Sequence, residues 1–68
     1  MKVIMNDIPI DLNGSSVMLE QAMSHSGMKD LRGLAVAVND TVISRATWSS
    51  FKLNENDTIT IIHATQGG

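Results

Sequence analysis

The stretch Met1-Lys2-Val3-Ile4-Met5-Asn6-Asp7-Ile8-Pro9-Ile10-Asp11-Leu12 can fold back on itself usefully in only one register. Asn6-Asp7 is a two-residue turn signal, related to the Asn-Gly pair of type I′ hairpins. With that loop Met5 faces Ile8, Val3 faces Ile10 and Met1 faces Leu12, so six apolar side chains fall on one face. The other face pairs Ile4 with Pro9 and Lys2 with Asp11, the latter an opposite-charge cross-strand pair. A slip of one residue would turn the apolar set toward solvent and undo both patterns. The chain therefore opens with an antiparallel hairpin that has one apolar face.

Asn13-Gly14-Ser15-Ser16 is a loop ending in Ser16 as a helix N-cap, and Glu20 in the first turn suits the positive end of the helix dipole. Leu19, Ala22 and Met23 recur at helical spacing, with Met18 at the edge of that face. Gly27 serves as the C′ stop, so the spacing predicts a short helix from Val17 to Ser26. Leu34-Ala35-Val36-Ala37-Val38 predicts a strand of small and β-branched residues. Asn39-Asp40 repeats the turn chemistry, and Val42-Ile43-Ser44-Arg45 predicts the returning strand. Thr47 to Leu53 is irregular, anchored by Trp48, Phe51 and Leu53, and Asn54-Glu55-Asn56-Asp57 is a polar turn. The last strand runs from Thr58 to about Ala64, with Ile59 and Ile61 inward if Thr58 and Thr60 face out. This order predicts an α+β β-grasp, with a helix packed across a mixed sheet of four to five strands. The last strand would then lie in the middle of the sheet, parallel to the first.

Sixty-eight residues make one domain. A chain of this size buries only about 60% of its unfolded surface and has little room for a deep pocket. The net charge of -2 and the scattered basic residues argue against a nucleic-acid surface. Cysteine is absent, which excludes disulfides, thiolate metal sites and thiol nucleophiles. There is no apolar run of the ~18 residues a membrane span needs and no signal-peptide core, so a soluble cytoplasmic protein is expected. His25 and His63 are too isolated for a metal site or a catalytic pair, and Asp7, Asp11, Asp40 and Asp57 are read as turn or solvated residues. The expectation is a protein that is not an enzyme, has no catalytic residue, and binds neither metal nor cofactor.

What remains for function is the end, Thr65-Gln66-Gly67-Gly68, which follows directly on an apolar strand. Glycine pairs have no side chains to pack and are costly to order. They make a thin thread carrying a carboxylate, with a reach of about 13 Å from Ala64 to Gly68 when extended. The expected division is a folded domain over residues 1–64 and a flexible tail over 65–68, with Gln66 and Gly67 threading Gly68 into a narrow site on another protein. The terminal carboxylate is ionised at neutral pH. It is a poor acylating agent but a usable nucleophile toward an activated phosphate, after which a sulfur or nitrogen nucleophile can attack the mixed anhydride. Beside the tail root, Ile4, Ile62 and Ala64 are expected to form an exposed apolar surface for a partner, with Arg45 as a charge for an acidic contact.

At this point the sequence resembles the thiamine-biosynthesis sulfur carrier family (ThiS), over nearly its whole length. The pieces that carry the likeness are Met1 to Asp7, Ala35-Val36-Ala37-Val38-Asn39, Val42-Ile43-Ser44-Arg45 with Trp48, the polar turn ending in Asp57 before Ile59, and Gly67-Gly68. The terminal glycines alone are shared by ubiquitin-like proteins generally. The chain departs from the family habit at Asp40 and Asn56, where members often carry glycine, at Ser44, where they often carry proline, and at Gln21-Ala22, where a Leu-Leu pair is usual. The resemblance implies an E1-like adenylyltransferase (ThiF-like) that spends ATP with Mg²⁺ to activate Gly68. It implies sulfur from cysteine through a desulfurase, a thiocarboxylate at Gly68, and a thiazole synthase (ThiG-like) that consumes it. Two alternatives stand beside it: the small subunit of molybdopterin synthase, which usually has a Pro-Pro step where this chain has His63-Ala64-Thr65-Gln66, and a ubiquitin-like tag or interaction module.

Overall fold

Two hairpins built on the same turn chemistry flank one central strand. A computed structural model describes residues 1–25 and 33–63 of the chain. The first hairpin is β1 (Lys2–Met5) and β2 (Ile8–Asp11). Its register is Lys2 with Asp11, Val3 with Ile10, Ile4 with Pro9 and Met5 with Ile8, as the apolar pattern predicts. Backbone bonds between Met1 and Leu12 extend it by one further pair. The second hairpin is β3 (Leu34–Val38) and β4 (Thr41–Ile43), turned by Asn39-Asp40. Asn6 and Asp7 have φ of 49° and 68°, and Asn39 and Asp40 have 50° and 69°. Both pairs thus show the positive φ at both central positions that a type I′ turn demands.

Between the hairpins lies β5 (Thr58–His63), parallel to β1 and antiparallel to β3, in the sheet order β2-β1-β5-β3-β4. This is the predicted β-grasp, with the last strand at the centre. One helix, α1 (Leu19–His25), covers the apolar face through buried Leu19, Ala22 and Met23. Against them pack Val3, Met5, Val36, Val38, Ile59 and Ile61, with Trp48 and Leu53 closing the end of the core. Ile59 and Ile61 are buried while Thr58 and Thr60 are exposed, as the alternation requires. Ile8 sits on the inner row but is 63% exposed at the hairpin tip.

Three local readings of the sequence are corrected. The helix begins at Leu19, and Ser16 is not its cap. The preceding backbone is held by the 51–53 segment: Leu53 N–H donates to Val17 C=O and Leu19 N–H to Phe51 C=O. Gln21 Oε1 accepts from Met18 N–H at 2.8 Å, the reach-back half of a capping box. The returning strand stops at Ile43, because Arg45–Thr47 winds into a 3₁₀ turn that drives Trp48 into the core. Asp57, expected to be solvated, is buried: its Oδ1 accepts from Asn39 Nδ2 at 2.9 Å and its Oδ2 from Asn54 N–H at 2.7 Å. The expected helix stop Gly27, with Ser26, lies outside the described residues.

Candidate functional site

The site follows from where β5 ends. Its last residue, His63, pairs with Leu34 at the start of β3. On its other flank, β1 pairs with β5 only as far as Met5 opposite Ile59. Asn6 then continues that ladder with its side chain. Its backbone N–H donates to Ile59 C=O at 2.9 Å, its Oδ1 accepts from Ile61 N–H at 2.8 Å, and its Nδ2 donates to Ile61 C=O at 3.4 Å. Asn39 acts likewise at the start of β5. Its backbone N–H donates to Thr58 C=O at 2.8 Å, and its Oδ1 accepts from Thr58 N–H at 3.0 Å. The central strand is thus held at both ends by the carboxamides of the two turns.

The face of the sheet away from the helix is apolar over much of its area. Pairing places Ile62 beside Ala35, Thr60 beside Ala37, and Ala37 beside Val42. Val42 is 74% exposed and Ile62 54% exposed. Ile4 lies on the same face but half-buried, opposite Thr58 and Pro9. It therefore stands four residues from Ile62 along β5, about 13 Å, so the two do not form the single patch expected of them. Ile62 lies directly opposite Ala35, with Ala37 one step along β3 and Val42 beyond it on β4, level with Thr60. Extending the register logic from Asn39-Asp40, as from Asn6-Asp7, would have found Val42.

Arg45 belongs to the tail end of this surface. Val36 pairs with both Ile43 and Ile61, so the chain leaving β4 reaches the level of Ile62 and His63. Arg45 is exposed, and its guanidinium lies over the Trp48 ring, 5.3 Å from the centroid. Trp48 is itself fixed by its Nε1–H, which donates to Ile43 C=O at 2.9 Å. Ala64, Gln66, Gly67 and Gly68 lie outside the described residues. A shallow cleft of ≈ 290 Å³, lined by Met1, Gly14, Lys52 and Glu55 among others, lies at the opposite end of the sheet. Among the described residues no group of His, Asp and Glu side chains is placed to hold a metal ion, and no helix is long and apolar enough to cross a membrane.

The geometry can be set beside known proteins. The model of the ThiS family matches residues 6–68, a span that includes both terminal glycines. The crystal structure of a thiamine biosynthesis protein (ThiS) from Geobacter metallireducens superposes with a TM-score of 0.85 at 19% identity, covering 100% of each chain. An NMR solution structure of a thiamine biosynthesis protein from the same organism gives 0.75 at 19% identity, over 100% of this chain and 88% of that one. At that identity the likeness shows the fold. No curated protein matches the sequence significantly.

Proposed function

The chain belongs to the ThiS family of small sulfur carriers, and on that footing we propose that its working group is the Gly68 carboxylate. A carboxylate oxygen of Gly68 attacks the α-phosphorus of ATP on an E1-like adenylyltransferase, and pyrophosphate leaves. The acyl adenylate is then attacked at its carbonyl carbon by the outer sulfur of a desulfurase persulfide, and AMP leaves. A thiol from outside this chain attacks the desulfurase sulfur of the acyl disulfide, forming a disulfide there and releasing the terminal sulfur on Gly68. The resulting thiocarboxylate gives its sulfur to a thiazole synthase in the assembly of the thiamine thiazole. ATP and Mg²⁺ belong to the activating enzyme, which provides the charge stabilisation that phosphoryl chemistry needs. This chain provides recognition and delivery.

The observation that carries the reading is the family match running through Gly67-Gly68, on a chain without cysteine. A carrier with no thiol has to hold sulfur elsewhere, and a terminal glycine offers an unhindered acyl carbon. The exposed surface of Ile62, Val42, Ala35 and Ala37, with Arg45 at its tail end, suits the docking contact that delivery needs. The test is pyrophosphate exchange with the cognate adenylyltransferase, followed by intact mass after sulfur transfer. The wild-type chain should support exchange and gain the mass of one oxygen replaced by sulfur. Deleting Gly68 should abolish both and leave the circular dichroism spectrum unchanged. Wild-type exchange rates in the deletion variant would overturn the assignment.

A further inference from the structure

On its β1 flank, the hydrogen bonding of β5 beyond Ile59 rests, among the described residues, on one side chain. The backbone ladder there runs from Ile4 N–H on Asp57 C=O to Asn6 N–H on Ile59 C=O, and the chain then turns away at Asn6 with φ 49°. The carboxamide of Asn6 takes the place of the missing next residue of β1. It accepts from Ile61 N–H and donates to Ile61 C=O, two residues before β5 ends at His63. The turn itself does not call for this side chain, since glycine adopts the same φ without steric cost. Asn39 is its counterpart in turn geometry and chemistry, but it grips Thr58 and Asp57 at the far end of the strand.

We infer that Asn6 is a positioning residue for activation: its carboxamide fixes the line along which β5 leaves the sheet, and so the approach of the chain toward Gly68. The inference rests on the carrier reading above. Without the clamp, the end of β5 is held on its β3 flank alone, and the freedom gained on its β1 flank has to be ordered each time the carrier enters the activating enzyme. That ordering is a cost of recognition, because the reacting carboxylate is unchanged once seated. It therefore appears in KM for the carrier, with kcat held. Asn39 separates this role from plain stability. Removing its carboxamide takes a donor from a buried carboxylate and should cost at least as much folding stability, yet it acts about 16 Å from His63 along the strand.

The experiment compares the full-length wild type, Asn6→Gly and Asn39→Gly in pyrophosphate exchange over a range of carrier concentrations, with amide hydrogen exchange on each. Expected for Asn6→Gly is a KM raised about five- to tenfold, the size of one or two neutral hydrogen bonds, at unchanged kcat, with faster exchange at Ile61. Expected for Asn39→Gly is a wild-type KM, with faster exchange at Thr58. If Asn6→Gly does not fold, Asn6→Asp keeps the acceptor but turns a carboxylate oxygen toward Ile61 C=O in place of the donor, and should likewise raise KM at unchanged kcat. A wild-type KM in the folded Asn6 variant, or an equal rise in Asn39→Gly, overturns the positioning role while leaving the carrier reading intact. Failure of the wild type itself to support exchange overturns the carrier reading and this role with it.

Discussion

At the scale of single residues, asparagine and aspartate carry much of what is particular to this chain. Asp40 and Asn56 have φ of 69° and 68°, and they are the positions where the resemblance leads one to expect glycine. A left-handed conformation costs a side-chain-bearing residue about 1–2 kcal/mol, partly offset in Asn and Asp by local hydrogen bonding. Glycine gives part of that back through its freer unfolded chain. Asp40→Gly and Asn56→Gly should therefore each raise stability modestly, by about 0.5 kcal/mol, read as a higher urea midpoint at unchanged slope. Asp57→Ala should move the other way by about 2 kcal/mol, because it leaves Asn39 Nδ2 and Asn54 N–H without their buried acceptor. The turns were legible in the sequence, since Asn-Asp states its backbone preference locally. The grip of Asn6 on Ile61 and of Asn39 on Asp57 was not, because the partners lie 55 and 18 residues away. Asp57 was misread for the same reason: nothing beside it in the chain announces burial.

At the scale of elements, the segment from Arg45 to Leu53 explains why the helix begins at Leu19 and not at Val17. The first free N–H groups of a helix need partners. Here Leu19 N–H donates to Phe51 C=O and Glu20 N–H to Trp48 C=O at 3.1 Å, so a loop about 30 residues further along the chain caps α1. Trp48 holds that loop in place as a core anchor only 2% exposed, bonded to Ile43. Trp48→Ala should cost about 3–5 kcal/mol, a large share of the stability of so small a domain. Trp48→Phe should cost about 1–2 kcal/mol, chiefly for the lost bond from the indole N–H to Ile43 C=O. Chemical denaturation of the two variants checks this, and a Trp48→Phe variant as stable as wild type would count against the bond. The anchors Trp48 and Leu53 could be read from the sequence. The cap could not, because it is made of backbone carbonyls that any residue would carry.

At the scale of the whole molecule, the topology was legible because one register argument applied at the first hairpin and again at the second, leaving the apolar strand from Thr58 to His63 to join them. The outer face was legible only in part. Placing Ile4 beside Ile62 assumed that two outward residues on adjacent strands meet, whereas parallel pairing puts Ile4 opposite Thr58. The exposed apolar side chains Ile62 and Val42 therefore lie from β5 toward β4, away from β1, with Val42 level with Thr60. That displacement gives the docking proposal a direction that can be measured. Ile62→Asp and Val42→Asp each place a charge where binding would desolvate it, at side chains already more than half exposed in the free chain. Both should leave thermal stability within about 0.5 kcal/mol of wild type and weaken binding to the activating enzyme by at least about tenfold. Ile4→Asp, at a half-buried position about 13 Å away, should instead lower stability more than it lowers affinity. Calorimetric titration beside thermal melts resolves the three variants. Equal affinity losses with equal destabilisation would show that the face supports the sheet and not the partner, because only a docking surface separates the two measurements residue by residue.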